Sequence, residues 1–360
     1  MKRIYLALLF WALAFCCSFA EEQDIMVLKG SSIVEMVEKN GIFIKRMTDI
    51  EWVDDSLYLL DAENGQVIEV DMLKGEKVRT ISRKGQGPGE LLYPERIRVR
   101  NKKIFVLDSG NRALKIFDIS GNFFGQFKPA AFNNRFFYRT FDVNQNDEIY
   151  FPDPDKSKGT LVGMYNVSGE KLRDLVPCPL NDEDELALAN RSCFGIGLDP
   201  DGGFYLNFPL LRELWRCTNE GKVAWKKEID NALLEKAPEK GGAIFTKSGS
   251  AGWTTFMRGM EIANDGKAVI GHFGGGCIVN RDGLMERVFE LETWNSTEKI
   301  WNKVALVVYR INRGALINAA LGQSFWLNMF QIEEKKNKTN ITRKTIGVFP
   351  PLGLFIFCIS

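Results

Sequence analysis

The chain has 360 residues, with 47 Lys+Arg, 46 Asp+Glu and one His, for a formal charge of +1. That length suits one or two domains, and the near-neutral balance argues against a dedicated nucleic-acid binder, which needs a basic face. The single histidine, His272, excludes centres that need two imidazoles, such as an HExxH zinc site or a 2-His-1-carboxylate triad.

The first twenty residues read as a leader. Lys2 and Arg3 precede the uncharged apolar run Ile4 to Phe15, and Ser18-Phe19-Ala20 offers small residues where a signal peptidase reads. Cleavage after Ala20 predicts a mature chain starting at Glu21, in the periplasm or outside the cell. It also shifts the formal charge from +1 to −1, because two bases leave and no acid does. An uncleaved anchor is a competing reading, although the apolar run is short for a span. So is a lipoprotein, since Leu13-Ala14-Phe15-Cys16 resembles a lipobox with Phe15 where Gly or Ala is expected. Five cysteines remain after cleavage, scattered and without a CxxC, which is no disulfide framework. Cys178 and Cys193 bracket an acidic loop and are either paired or two separate thiols.

From about residue 48 to 291 one unit recurs: an alternating strand, an Asp/Asn/Gly turn, a strongly apolar strand, a polar turn, a third strand, a glycine hairpin and a fourth strand. The clearest copy runs from Ile97 to Phe127, with Ile104-Phe105-Val106-Leu107 as its buried strand. The copy before it centres on Leu57-Tyr58-Leu59-Leu60. Later copies centre on Glu148-Ile149-Tyr150-Phe151, Phe204-Tyr205-Leu206 and Ala268-Val269-Ile270. The hairpin glycines Gly75, Gly121, Gly169, Gly221 and Gly283 are 46, 48, 52 and 62 residues apart. Four short strands per such period predict an all-β propeller. A four-stranded sheet cannot bury both faces alone, and radial stacking buries them against neighbours while leaving short edges.

Gly85-Gln86-Gly87-Pro88-Gly89-Glu90 followed by Pro94, with Phe105-Val106-Leu107-Asp108-Ser109-Gly110-Asn111-Arg112 and Phe117-Asp118, resembles the NHL-repeat signature. The whole is similar to exported bacterial propellers that carry a GQGPGE linker. The resemblance is specific over residues 83–127, moderate over 48–82 and 141–172, and weak over 195–291. It implies six blades in a propeller spanning 21–345, with 346–360 as an irregular apolar tail. Five blades are readable. The sixth, expected at about 300–345, reads as degenerate or truncated: Val304 to Tyr309 suits one strand, whereas Leu316 to Phe330 has no Asp-Gly turn and is ambiguous with helix. Residues Ile25 to Val37 include apolar runs suited to supplying a strand to the final blade.

Candidate binding residues follow from the turns. Asp108, Asn111 and Arg112 in the second blade, and Asp61 and Asn64 at the same spacing in the first, suit either a ligand or the capping of the turn itself. His272, within Gly271-His272-Phe273-Gly274-Gly275-Gly276-Cys277, is a lone histidine near a thiol with no orienting acid in view. It is a weak nucleophile-pair candidate beside a plain turn residue. Asp153/Asp155 and Asp182 to Glu185 supply carboxylates of the kind that hold Ca²⁺ without the EF-hand pattern, so Ca²⁺ is the one cofactor kept open. The Gly85–Glu90 linker lacks the GK[ST] ending of a phosphate loop and precedes a strand.

The expected function is therefore that of an exported binding or scaffold protein. Its loops around a channel would meet a peptide, glycan or protein partner. The alternative, implied by the resemblance, is a propeller enzyme with a channel metal. Lyases of that kind use several histidines, whereas a calcium-dependent lactonase needs only Glu, Asn and Asp. An RNA-binding NHL propeller conflicts with the leader and the neutral charge.

Overall fold

A computed structural model describes residues 25–35, 42–72, 74–129, 132, 140–155, 157–178, 194–209, 211–229, 243–245, 251–253, 257–272, 275–295, 300–303, 308–312, 315–321 and 325–331. These residues form strands and turns with essentially no helix. β1 (Ile25–Glu35) comes first. Four separate four-stranded antiparallel sheets follow in chain order. The first holds β2 (Met47–Val53), β3 (Ser56–Asp61), β4 (Gln66–Asp71) and β5 (Glu76–Ile81). The second holds β6 (Pro94–Arg100), β7 (Lys103–Asp108), β8 (Ala113–Asp118) and β9 (Phe123–Phe127). The third holds β10 (Asp142–Val143), β11 (Ile149–Asp155), β12 (Thr160–Tyr165) and β13 (Lys171–Pro177). The fourth holds β14 (Gly195–Leu198), β15 (Phe204–Phe208), β16 (Glu213–Cys217) and β17 (Val223–Glu228).

β18 (Ala243–Phe245) and β19 (Ala251–Trp253) come next in the chain and pair antiparallel with each other. The fifth blade is β20 (Met257–Ile262), β21 (Ala268–His272), β22 (Gly275–Val279) and β23 (Met285–Asn295), with β24 (Ile300–Lys303) paired to the end of β23. The sixth is β25 (Val308–Asn312), β26 (Ala315–Leu321) and β27 (Phe325–Gln331). Within Leu316 to Phe330, ambiguous with helix in sequence, the described residues 316–321 and 325–330 are thus strand. The blade is completed from the other end of the chain: Ser31 to Glu35 of β1 pair antiparallel with β27, and Ile25 to Gly30 pair parallel with β23. The fifth and sixth blades are therefore one continuous sheet. β25 lies against both β2 and β20, which closes the ring. Val304, within the expected first strand of this blade, and the 346–360 tail lie outside the described residues.

The hairpin glycines decide the shape of each outer turn. Gly75, Gly121, Gly169, Gly221 and Gly283 all have positive φ, between 68° and 90°. A one-residue register shift follows in each blade, for example between Ile116 and Phe117 and between Arg216 and Cys217. The shift lies three residues beyond the glycine; the glycine itself serves the turn, where its N–H reaches the carbonyl three residues back (Gly121 to Asp118, 2.9 Å) in a positive-φ conformation that a residue without Cβ takes at no steric cost. The core sits between blades. Ile97, Val99, Ile104 and Val106 of the second sheet bury against Tyr58, Leu60 and Val67 of the first. Phe105 and Leu107 of β7, with Ile116 of β8, bury against Phe141, Ile149 and Phe151 of the third. Alternation along β7 therefore feeds two interfaces at once, as two-sided burial of a blade requires.

Candidate functional site

The innermost strands β2, β6, β10, β14, β20 and β25 surround the axis. In the first five blades, each begins after an inter-blade linker and ends in an inner turn. At the inner-turn end lies a cavity of about 650 Å³, lined by these strands and turns from the first five blades. One register position of each inner strand supplies a ring around the axis, fixed by its partner on the second strand. Glu51 pairs with Tyr58, Arg98 with Phe105, Asp142 with Tyr150, Gly197 with Tyr205 and Glu261 with Val269. In the sixth blade Arg310, opposite Ile317, holds the same position.

Arg98 is the hub of this ring. Its side chain is buried, with Nη1 3.7 Å from Asp49 Oδ2 and 3.7 Å from Glu51 Oε2, Nε 3.3 Å from Asp142 Oδ1, and Nη2 3.8 Å from Glu261 Oε1. Four carboxylates from three other blades thus converge on one guanidinium. Arg100 adds a 2.5 Å contact to the other Glu51 oxygen. The buried aspartates also stitch neighbouring blades together. Asp49 Oδ2 accepts the Ile97 backbone N–H at 3.0 Å, and Asp142 Oδ2 accepts that of Leu198 at 2.9 Å. A buried charge group persists only when paired and hydrogen-bonded in this way. On the cavity wall, Asp199 is gripped by Arg216 Nη2 at 2.9 Å and by Arg281 Nη2 at 2.8 Å, which ties the fourth blade to the fifth.

A family model described as a 6-bladed beta-propeller matches residues 32–227, more than half of the chain. The chain belongs to that family, DUF5128. The search of curated proteins finds no match. Among solved structures, a member of the DUF4221 family from Bacteroides vulgatus is similar at 11% identity and TM-score 0.53, covering 87% of this chain and 99% of its own. A Bacteroides thetaiotaomicron protein of unknown function is similar at 13% identity and TM-score 0.53, covering 86% and 75%. Virginiamycin B lyase from Staphylococcus aureus is similar at 9% identity and TM-score 0.50, covering 79% and 94%. At such identities the likeness is one of fold.

The turn residues singled out in the sequence lie at the other end of this DUF5128 ring, between second and third strands. Asp108 is fully buried. It accepts the backbone N–H groups of Leu92 at 2.9 Å and Tyr93 at 2.8 Å, and the Asn111 amide at 2.7 Å. Asn111 also donates to the carbonyl of Gly85 at 3.1 Å. Asp61 repeats the arrangement one blade earlier, on Lys45 N at 3.1 Å, Arg46 N at 3.0 Å and Asn64 Nδ2 at 2.7 Å. These pairs pin each incoming linker to its blade. Arg112 is exposed and donates to the Phe132 carbonyl at 2.5 Å.

The glycine-rich linker folds over Lys115, which is almost fully buried. Its ammonium donates to the carbonyls of Gly87, at 3.0 Å, and of Glu90. Burial pushes the Lys115 pKa down, with Asp108 and Glu90 opposing.

His272 ends β21 opposite Gly275, the register position that Asp61 and Asp108 hold in their blades. Cys277 is a buried free thiol whose pKa burial pushes up to about 12. Asp153 also holds the Asp108 position, but it accepts from Tyr165 Oη at 2.5 Å and pairs with Lys171 Nζ at 2.8 Å. Asp155 accepts from Ser157 Oγ at 2.6 Å. The Asp182 to Glu185 loop and Cys193 lie outside the described residues, and Cys178 is a buried free thiol. Among the described residues no group of three or more His, Cys, Asp and Glu is arranged to hold a metal ion.

The charged ring escaped sequence reading although a signal was present. Glu51, Arg98, Asp142 and Glu261 are charged residues flanked by apolar ones in strands whose neighbours are buried. Alternation marks them as facing something other than the core, and radial assembly brings them to one axis.

Proposed function

We propose that this protein is an exported binding protein that receives a peptide, glycan or protein partner at the inner-turn mouth of its channel. The observation that supports this reading is the polar 650 Å³ cavity, within the range of about 300–1,000 Å³ typical of ligand sites. Its mouth carries exposed polar side chains on short turns, including Gln145, Asn146 and Asn264. Rigid strands hold these turns, which is how loops carry recognition on a stable scaffold. The Asp61 and Asp108 turns, by contrast, spend their polar groups on their own linkers.

The enzyme alternative is less well supported. The Arg98 guanidinium stands where the channel carboxylates converge, so a cation on the same carboxylates would meet a fixed positive charge. Its electrostatic repulsion opposes the binding of Ca²⁺ there.

The test is a screen of the mature chain, residues 21–360, against peptide and glycan arrays. Asn264→Arg and Gln145→Arg at the mouth and Arg112→Glu at the linker end are compared with the wild type. Loss of binding in the two mouth variants, with Arg112→Glu unchanged, supports the reading. Binding that survives both mouth variants and is lost in Arg112→Glu overturns it.

A further inference from the structure

The charged groups of the channel are committed to one another. Glu51, Asp142 and Glu261 are each in an ion pair with Arg98, and Glu51 also with Arg100. On the wall, Arg281 holds Asp199 and Asp201, and Arg216 holds Asp199 as well. An ionic ligand of either sign therefore competes with a partner already in place. The channel-side backbone is partly spoken for too. The Ile97 and Leu198 N–H groups donate to Asp49 and Asp142 of the preceding blades, so a peptide strand adding to β6 or β14 there lacks those donors.

What the wall leaves uncommitted is neutral. It carries six primary amides, and three of them serve their own turns. Asn101 Nδ2 donates to the Asn144 carbonyl at 3.0 Å and to Asp147 Oδ1 at 2.9 Å. Asn144 Oδ1 accepts the backbone N–H groups of Asn146 and Glu148, both at 2.9 Å, and Asn219 Oδ1 accepts that of Gly203. The other three, Gln145, Asn146 and Asn264, are exposed, and among the described residues their side chains make no hydrogen bond. Each offers donors and an acceptor in one plane, which matches a pair of adjacent hydroxyls on a sugar ring. Trp52 supplies an apolar counterpart. Its indole N–H donates to the Asp54 carbonyl at 2.9 Å and its ring packs against the first-blade core, so it lines the cavity in a fixed orientation. An aromatic face is the negative side of its quadrupole, and the C–H groups on the face of a sugar ring are weakly positive. Trp52 belongs to the first blade, Gln145 and Asn146 to the third and Asn264 to the fifth, so these contacts alternate around the axis.

Resting on the channel-mouth reading above, we infer that the ligand is a neutral carbohydrate. The end of an oligosaccharide enters the mouth, lays one ring on Trp52 and hydrogen-bonds through its hydroxyls to Gln145, Asn146 and Asn264. A sugar makes these contacts without displacing any of the ion pairs beneath.

The experiment uses maltotriose, cellotriose and mannotriose labelled at the reducing end, with trigalacturonate and the chitosan trimer as anionic and cationic counterparts and a labelled Gly-Ser nonapeptide. Each is titrated with a chain spanning residues 21–360 and read by anisotropy at 20 and 200 mM NaCl. The expected result is that a neutral trisaccharide binds about tenfold tighter than the charged trimers and the peptide, and that its affinity changes less than about twofold with salt, because it forms no ion pair. Trp52→Ala weakens it about tenfold, and Asn264→Ala and Gln145→Ala weaken it several-fold each. Trp52 touches the core, so the two amide variants, at exposed positions, carry the test if Trp52→Ala fails to fold. A charged trimer or the peptide binding tightest, and lost in Asn264→Arg, overturns the carbohydrate inference and leaves the channel site standing. Trisaccharide binding that survives both amide variants and is lost in Arg112→Glu overturns both. No binding of any neutral trisaccharide at 10 mM overturns the carbohydrate inference.

Discussion

Replacing Asp108 by Ala removes one buried carboxylate that holds a whole linker. The carboxylate accepts two backbone N–H groups, from Leu92 and Tyr93, at 2.9 and 2.8 Å, and orients Asn111 at 2.7 Å. Alanine fits the strand but leaves those donors facing a void in a site with no exposure. Hydrogen bonds to a charged acceptor are worth about 1.5–3 kcal/mol each, and a buried donor left unpaired costs about 1–3 kcal/mol. Two such donors, with partial relaxation of the linker, place the loss at about 3–5 kcal/mol. Asn111→Ala removes the side-chain donor to Asp108 and Gly85 while leaving the two N–H bonds on Asp108, so it costs less, about 1–3 kcal/mol. Urea unfolding of a chain spanning residues 21–360, followed by tryptophan fluorescence, reads both. Asp61→Ala in the first blade serves as the internal repeat, because Asp61 makes the equivalent contacts on Lys45 and Arg46. A loss below 1 kcal/mol for Asp108→Ala, or a large loss in one blade and none in the other, refutes the view that these aspartates are linker pins.

Other outcomes test the fold. Gly169→Ala forces a Cβ to 2.5 Å from Phe127 Cβ at φ of 86°, so it costs about 2–4 kcal/mol, whereas Gly125→Ala has no atom within 4 Å and leaves the urea midpoint nearly unchanged. If the two behave alike, the outer-turn packing is wrong. Cys217 and Cys277, pushed by burial up to about 12, react with Ellman's reagent at pH 8 more than a hundredfold slower in the native chain than in urea, since the thiolate is the nucleophile. Fast native labelling of either refutes their burial. Tyr58 is raised to about 12, first by burial and then by Glu69. The native state thus keeps a proton that the unfolded chain releases near pH 10, so this contribution is complete below pH 10 and is lost as pH rises towards 12. Urea midpoints between pH 9 and 11.5 fall less steeply in Tyr58→Phe than in the wild type, and identical slopes refute the assignment.

The propeller was legible because its determinants are local and repeated. Asp108 and Asn111, Gly121 and the apolar strand Ile104 to Leu107 sit within one blade of chain, and their counterparts recur about once per blade. A turn that requires positive φ selects glycine wherever it occurs, so the five hairpin glycines mark the blades in any reading of the chain. The capping use of Asp61 and Asn64 was likewise open to a local argument, from turn chemistry alone. What the sequence did not reveal depends on residues far apart along it. The apolar runs near the N-terminus did suggest a strand for the final blade, and Ser31 to Glu35 supply it, but no local pattern in Leu316 to Phe330 identifies the strand they pair with. The channel is the same case. Asp49, Glu51, Asp142 and Glu261 converge on Arg98 only because the blades stack around an axis. A one-dimensional reading finds the charged residue in each inner strand but not the point where they meet. Sequence alone determined the repeating unit, since backbone sterics and alternation act over a few residues. Tertiary structure decided which strands meet at the closure of the ring and the charge pattern of its channel, since both arise from contacts that exist only once every blade has found its neighbour.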